Sequence, residues 1–147
     1  MRELPGQLSR EELAELFEGR TALVEALAGR DDPLGSAREV LLALPPEEQV
    51  AALNAHPAIG ARTGLSARST AEQGTDDDPE LLAELARLNA EYEGRHGFRF
   101  VVFVNRRPRR EILDVLRERL ERPTGEERET GIEALVSIAQ DRWRSGA

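Results

Sequence analysis

The chain has 147 residues, about one domain's length, of which 39% are hydrophobic, 33% charged and 4% aromatic. That is enough for one modest core of Leu, Ala and Val and too apolar for a disordered chain, while the longest apolar runs, Val40–Leu44 and Phe100–Val104, fall far short of the roughly 20 residues of a membrane span. A net charge of −8 opposes attraction to nucleic acid or an anionic membrane surface.

The pattern along the chain is helical. Ser9 before Glu11 and Glu12 reads as an N-cap, and Leu13, Leu16 and Phe17 form the first apolar stripe. Gly19 and the Gly29–Pro33 stretch bracket a short helix over about 20–28. Ser36 is the expected cap of a helix running to Leu44, where Pro45-Pro46 stops it. Pro46-Glu47-Glu48 then opens a helix carrying Val50 and Leu53, since proline suits a first turn. Positions 57–78 read as a loop with one or two short turns. From Pro79 the periodicity is strongest: Leu81, Leu85, Leu88 and Tyr92 share a face, and Gly94 or Gly97 ends the run. Ile112, Val115, Leu116 and Leu120 mark the next helix, which halts before Pro123. Thr124 with Glu127 spells a capping box for the last one, whose stripe includes Ile132, Leu135, Val136 and Ala139.

One segment departs from this pattern. Phe98–Val104 is rich in aromatic and β-branched residues, and periodicity leaves both an isolated extended strand and a buried helical turn open. The expected fold class is all-α: a single-domain helical bundle over residues 1–147, with one short extended segment near 98–104. The opening MRELPGQLSREELAEL has no apolar signal region and the closing RSGA is no address, so the expectation is a soluble, cytoplasmic protein.

Two absences narrow the chemistry. No cysteine means no disulfide, no thiol nucleophile and no thiolate-bound metal. All 20 basic residues are arginines, so no lysine Schiff base can form. Acid–base work near pH 7 falls to His56, His96 or a carboxyl group with a raised pKa. Two histidines 40 positions apart make a poor metal site, and neither metal nor cofactor is expected. Arg106, Arg107, Arg109 and Arg110 read as a solvated helix start.

Four places are chemically suggestive, each with a plain structural alternative. His56 precedes Pro57, which biases it out of the α region, so the imidazole sits at a helix end where it can enter a cleft or lie on the surface. Ser69-Thr70-Ala71-Glu72-Gln73 is a capping box, and its helix N-terminus would also attract an anion. Phe100–Val104 fills core, yet an unpaired extended backbone there needs partners, which a flat amide-edged heterocycle would supply. Arg142 borders the buried face of the last helix and reads either as a paired arginine or as a clamp on a substrate carboxylate.

In combination these elements are specific. The order A-H-P-A-I-G, S-x-x-E-Q, L-N-x-E-Y-x-x-R-x-G-F-x-F-V and a terminal E-x-L-x-x-I-x-x-x-R resembles the 2-oxo-4-hydroxy-4-carboxy-5-ureidoimidazoline (OHCU) decarboxylases, all-helical enzymes of urate catabolism, over about residues 47–143. The resemblance implies a carboxy-lyase that forms (S)-allantoin without a cofactor. It makes His56 the catalytic acid/base and Glu72 the second polar catalytic group. It assigns Pro57, Ser69, Thr70, Ala71, Glu72 and Gln73 to the substrate pocket, Phe100, Val101, Val102, Phe103 and Val104 to a wall contacting substrate through its backbone, and Arg142 to the substrate. It also implies a homodimer, while the acidic charge leads us to expect no nucleic-acid or membrane partner. The sequence departs from the family in a shorter interval between His56 and Ser69, in His96-Gly97-Phe98 for the usual F-G-F, in Arg99 for a common proline, and in Gly19–Val24, which lacks the family's aromatic segment. A same-fold enzyme for a related ureido or imidazoline acid and a non-catalytic helical interaction module are the alternatives.

Overall fold

The structure, a computed structural model, describes residues 3–57 and 78–145. Seven helices account for most of them: α1 Arg10–Phe17, α2 Ala22–Leu27, α3 Pro33–Ala43, α4 Pro46–Asn54, α5 Pro79–His96, α6 Arg109–Leu120 and α7 Thr124–Arg144. No strand occurs among the described residues.

The starts follow local chemistry, with two corrections. Ser9 caps α1 in a reciprocal box with Glu12. α3 is capped by Asp32, not by Ser36: Pro33 occupies the first turn, so the helix starts earlier and Ser36 turns its hydroxyl back onto the Asp32 and Pro33 carbonyls. The capping box expected at Thr124 and Glu127 does not form. Thr124 lies inside the first turn, and both side chains are taken by distant partners. α5 ends at Gly97, whose φ of 79° provides the left-handed turn a glycine adopts without strain.

α7 is the axis of the fold, packing against α1, α3, α4 and α5, while α5 pairs with α6. Its stripe of Ile132, Leu135, Val136, Ile138 and Ala139 is buried, at on the order of 2 kcal/mol per large aliphatic side chain. Gly131 lies in the same stripe. A Cβ there would stand 3.2 Å from Leu53 Cδ2, so the missing side chain lets α4 close onto α7. That contact helps set the end of α4, with His56 just beyond it, against the helix that carries Arg142.

Residues 99–104 are neither helical nor paired with another strand. Of the two readings left open by the sequence, the unpaired extended one fits. The segment ends in a tight turn, with Asn105 and Arg106 both left-handed (φ 47° and 64°) and the Arg107 N–H donating to the Val104 carbonyl at 3.0 Å. The Arg107 guanidinium closes it by donating to the carbonyls of Phe103 and Val104. The basic cluster is thus only partly solvated: Arg109 is buried, and Arg110 pairs with Asp78.

Candidate functional site

α4 ends at Asn54, and the His56 N–H still donates to the Leu53 carbonyl at 3.2 Å before Pro57 stops the helical path. The expected helix-end histidine is therefore present, but it does not lie on the surface. It is 8% exposed, and its Nδ1 has no hydrogen-bond partner among the described residues. A buried polar nitrogen without a partner costs about 1–3 kcal/mol, which a bound polar group recovers.

Three charged side chains act on that imidazole, each from a different part of the fold: Arg142 on α7, Glu18 just past α1, and Arg99 in the connector after α5. Burial is the main influence, and it disfavours the charged ring. The Arg142 and Arg99 cations add to it and Glu18 opposes it, leaving the His56 pKa at about 4 against an ordinary value near 6.5. The ring is therefore neutral at pH 7, and its protonated form would release a proton readily.

Arg142 is 2% exposed. Its guanidinium donates to the Leu16 carbonyl at 3.0 Å and pairs with Glu18 at 3.0 Å, so a carboxylate of the protein already holds one side of it. Glu18 was not singled out from the sequence. It occupies the left-handed position that ends α1, with φ 66°, beside Gly19. The signal available was an arginine on the buried stripe of the last helix, which demands a carboxylate nearby.

The wall segment has two unlike edges. In an extended chain the N–H and C=O of one residue point to the same edge, and those of the next residue point to the other. Odd-numbered residues here are engaged by the protein. The Arg99 N–H donates to Asn54 Oδ1 at 2.8 Å, the Val101 carbonyl accepts from Arg119 at 2.8 Å, and the Phe103 carbonyl accepts from Arg107 at 2.6 Å. The backbone groups of Phe100 and Val102 have no partner among the described residues. The protein thus holds one backbone group each of Arg99, Val101 and Phe103, whereas those of Phe100 and Val102 are open to a ligand.

The Val101 carbonyl is tied to a buried network that sequence reasoning also missed. Glu127, fully buried, accepts from the Tyr92 hydroxyl at 2.6 Å and from Arg119 Nε at 2.8 Å, with Arg122 at 3.3 Å. Arg119 lies over the Phe100 ring, 4.7 Å from its centre. Burial, followed by the bond to Glu127, raises the Tyr92 pKa well above its usual value and keeps its hydroxyl a donor.

Of the residues expected at the site, His56 lies within electrostatic reach of Arg142, and its carbonyl is bonded to Arg99, the residue just before the 100–104 segment. Ser69, Thr70, Ala71, Glu72 and Gln73, like the shortened interval before them, lie outside the described residues. Among the described residues, no group of three or more His, Asp or Glu side chains is placed to hold a metal ion.

This all-helical architecture has known counterparts. A crystal structure of an OHCU decarboxylase in the presence of (S)-allantoin superposes with a TM-score of 0.73 at 23% identity, covering 89% of this chain and 94% of that one. An (S)-allantoin synthase crystal structure matches with a TM-score of 0.67 at 19% identity, over 92% of this chain and 48% of that one. At these identities the likeness is one of fold. In sequence, the chain is 34% identical over 154 aligned positions to the OHCU decarboxylase of Amia calva, covering 92% of this chain and 87% of that protein. It is 31% identical over 100 positions to that of Haloferax volcanii, covering 65% of this chain and 60% of the relative. The family model described as OHCU decarboxylase matches residues 2–144, nearly the whole chain. The divergent stretch at Gly19–Val24 falls within that match, and the chain belongs to the OHCU decarboxylase family.

Proposed function

We infer that the chain is a carboxy-lyase that converts OHCU to allantoin in urate breakdown, with His56 as its acid/base. Family membership over residues 2–144 supports the activity. The single observation that supports the site is the buried His56 ring with an unpartnered Nδ1, its main chain tied by Arg99 to a connector in which the Phe100 and Val102 backbone groups are also unpartnered among the described residues. A flat ring bearing amide groups on its rim and an ionisable hydroxyl satisfies both.

The substrate carries its own electron sink. Its reacting carbon bears a carboxylate and a hydroxyl and adjoins a C=N carbon. When the carbon–carboxylate bond breaks, CO2 leaves and the electron pair moves into the ring towards that imine. The hydroxyl proton must then leave as its carbon becomes a carbonyl, one proton must reach the former imine carbon, which becomes the stereocentre of allantoin, and a further proton taken from solvent must neutralise the former imine nitrogen. Neutral His56 accepts the first proton. Its conjugate acid, strongly acidic because of burial and the two arginines, delivers the second. One base working on one face gives one enantiomer, proposed as the (S) form.

Glu72 is proposed to orient His56. Ser69–Gln73 and Pro57 are proposed to line the pocket, Phe100–Val104 to hold the ring edge, and Arg142, steadied by Glu18, to meet the departing carboxylate. Positioned acid–base catalysis supplies roughly 10²–10⁴-fold, and orientation with exclusion of water supplies the remainder. The reaction is proposed to proceed without metal or cofactor, in the cytoplasm, with the chain as a homodimer.

The two departures nearest the site favour the family substrate over a related acid, because both side chains are engaged by the protein itself: His96 Nδ1 meets Thr124 Oγ1 at 2.7 Å, and Arg99 donates to the His56 carbonyl at 2.9 Å. The test generates the unstable substrate in situ and follows circular dichroism. Chiral allantoin should accumulate well above the spontaneous, racemic background. Accumulation at the background rate by folded protein would overturn the assignment.

A further inference from the structure

We propose that Arg99 is a positioning residue for His56, a two-point strap that ties the main chain carrying the imidazole to the wall segment that holds the substrate's ring edge; this rests on the catalytic reading of His56 given above. One guanidinium N–H of Arg99 donates to the His56 carbonyl at 2.9 Å, while the Arg99 backbone N–H takes Asn54 Oδ1 at 2.8 Å. The two bonds join residues 43 and 45 positions apart and fasten both ends of the last turn after α4 to the same residue. Among the described residues these are the hydrogen bonds that join the end of α4 to the 98–104 segment, so Arg99 ties the placement of the imidazole to that of the wall.

The proline often found at this position in the family has no N–H for Asn54 and no guanidinium for His56. Arginine here therefore adds a connection that proline cannot make. Glu93 stands 3.8 Å from the same guanidinium, and 30% of the Arg99 side chain remains exposed. The strap is thus partly exposed to solvent and reaches the main chain of His56, not its ring. Its charge has a second consequence. Arg142 on α7, Arg99 on the connector and Glu18 beyond α1 are the charged groups acting on His56 in the described structure, so removing Arg99 takes away one of two cations that keep the ring neutral.

A geometric role and a charge role separate on two variants. Arg99→Gln removes charge and most of the reach; Arg99→Lys keeps the charge but lacks the planar fork. In the in-situ dichroism assay, Arg99→Gln should lower kcat by about 10-fold or more with KM within about twofold, because a small misplacement of the base costs turnover more than binding. Arg99→Lys should recover part of that loss. Independently of activity, the His56 ring followed by NMR, identified by its disappearance in His56→Gln, should titrate at higher pH in Arg99→Gln than in wild type, by roughly half a unit for one partly screened charge. In Arg99→Lys the midpoint should stay close to wild type. Unchanged kcat together with an unmoved midpoint in Arg99→Gln would overturn the strap, as would a kcat loss fully explained by a fall in melting temperature in both variants. Absence of chiral product from the wild-type protein would instead sink the decarboxylase reading, and the His56 midpoint would still report on Arg99.

Discussion

The buried imidazole makes the stability of this fold depend on pH in a way that can be worked out in advance. His56 has a folded pKa of about 4 against an ordinary value near 6.5, so between those values the unfolded chain binds more protons than the native one. Acidification therefore favours unfolding. The contribution of His56 is intact above about pH 6.5, is lost as pH falls towards 4, and levels off below. At about 1.36 kcal/mol per unit, the full window corresponds to roughly 3 kcal/mol, and the drop between pH 7 and pH 4.5 is about 2.5 kcal/mol. Carboxylates also lose stabilising interactions over this range, so the measurement must be a difference. His56→Gln keeps a polar side chain of similar size and does not titrate. Urea unfolding of both proteins at pH 7 and pH 4.5 should show wild type losing about 2.5 kcal/mol more than the variant. With a slope of about 1–3 kcal/mol per molar, that is a differential midpoint shift on the order of 1 M. Parallel losses within about 0.5 kcal/mol would mean that the ring charges freely in the folded state, and the neutral-base mechanism would lose its physical footing. The same shift places the acid limb of kcat/KM well below pH 6.

The other perturbations separate paired roles. Glu72→Gln should cut kcat by about 10²-fold with a small change in melting temperature, and wild-type turnover would return Glu72 to a capping role. Tyr92→Phe should cost about 1–2 kcal/mol by leaving the buried Glu127 carboxylate short of one donor, measured by urea unfolding; a neutral outcome would mean that Arg119 and Arg122 satisfy it alone. If Arg142 meets the substrate carboxylate, Arg142→Lys should raise substrate KM more than the inhibition constant of allantoin, which lacks that carboxylate; equal weakening of both would assign Arg142 to its Glu18 pair. Prolonged chelation should leave activity intact, and loss restored by added zinc would overturn the cofactor-free chemistry.

The helices were legible because their signals are local and redundant. Leu81, Leu85, Leu88 and Tyr92 recur on one face, and all four are buried in α5. Proline at positions 46 and 79 and glycine at 97 fix ends through φ alone, so no tertiary information is needed. The same kind of local rule failed at Ser36 and at Thr124–Glu127. In the first case a competing local signal, Asp32 followed by Pro33, started the helix one turn earlier. In the second the motif was satisfied on paper, but the residues were drawn to better partners: Thr124 to His96, and Glu127 to Tyr92 and Arg119.

Candidate residues could be named from the sequence, but the geometry around them could not, because it is made by charges that span the chain. On α7, Glu127, Gly131, Leu135, Ile138 and Arg142 follow one buried stripe, with an acid at one end and a base at the other. Neither charge could be buried alone, since an uncompensated one costs several kcal/mol. Each therefore fixes something remote. Glu127 holds Arg119, which holds the Val101 carbonyl and so one edge of the wall. Arg142 holds Glu18 and the end of α1 beside His56. Periodicity marks both positions as facing inward, but only the fold says what each meets. A charged residue in a buried helical stripe is thus a stronger pointer to the neighbourhood of a site than a local capping motif, because it requires a partner from elsewhere. Here the two such residues of α7 bracket the imidazole and the wall that the proposed chemistry uses.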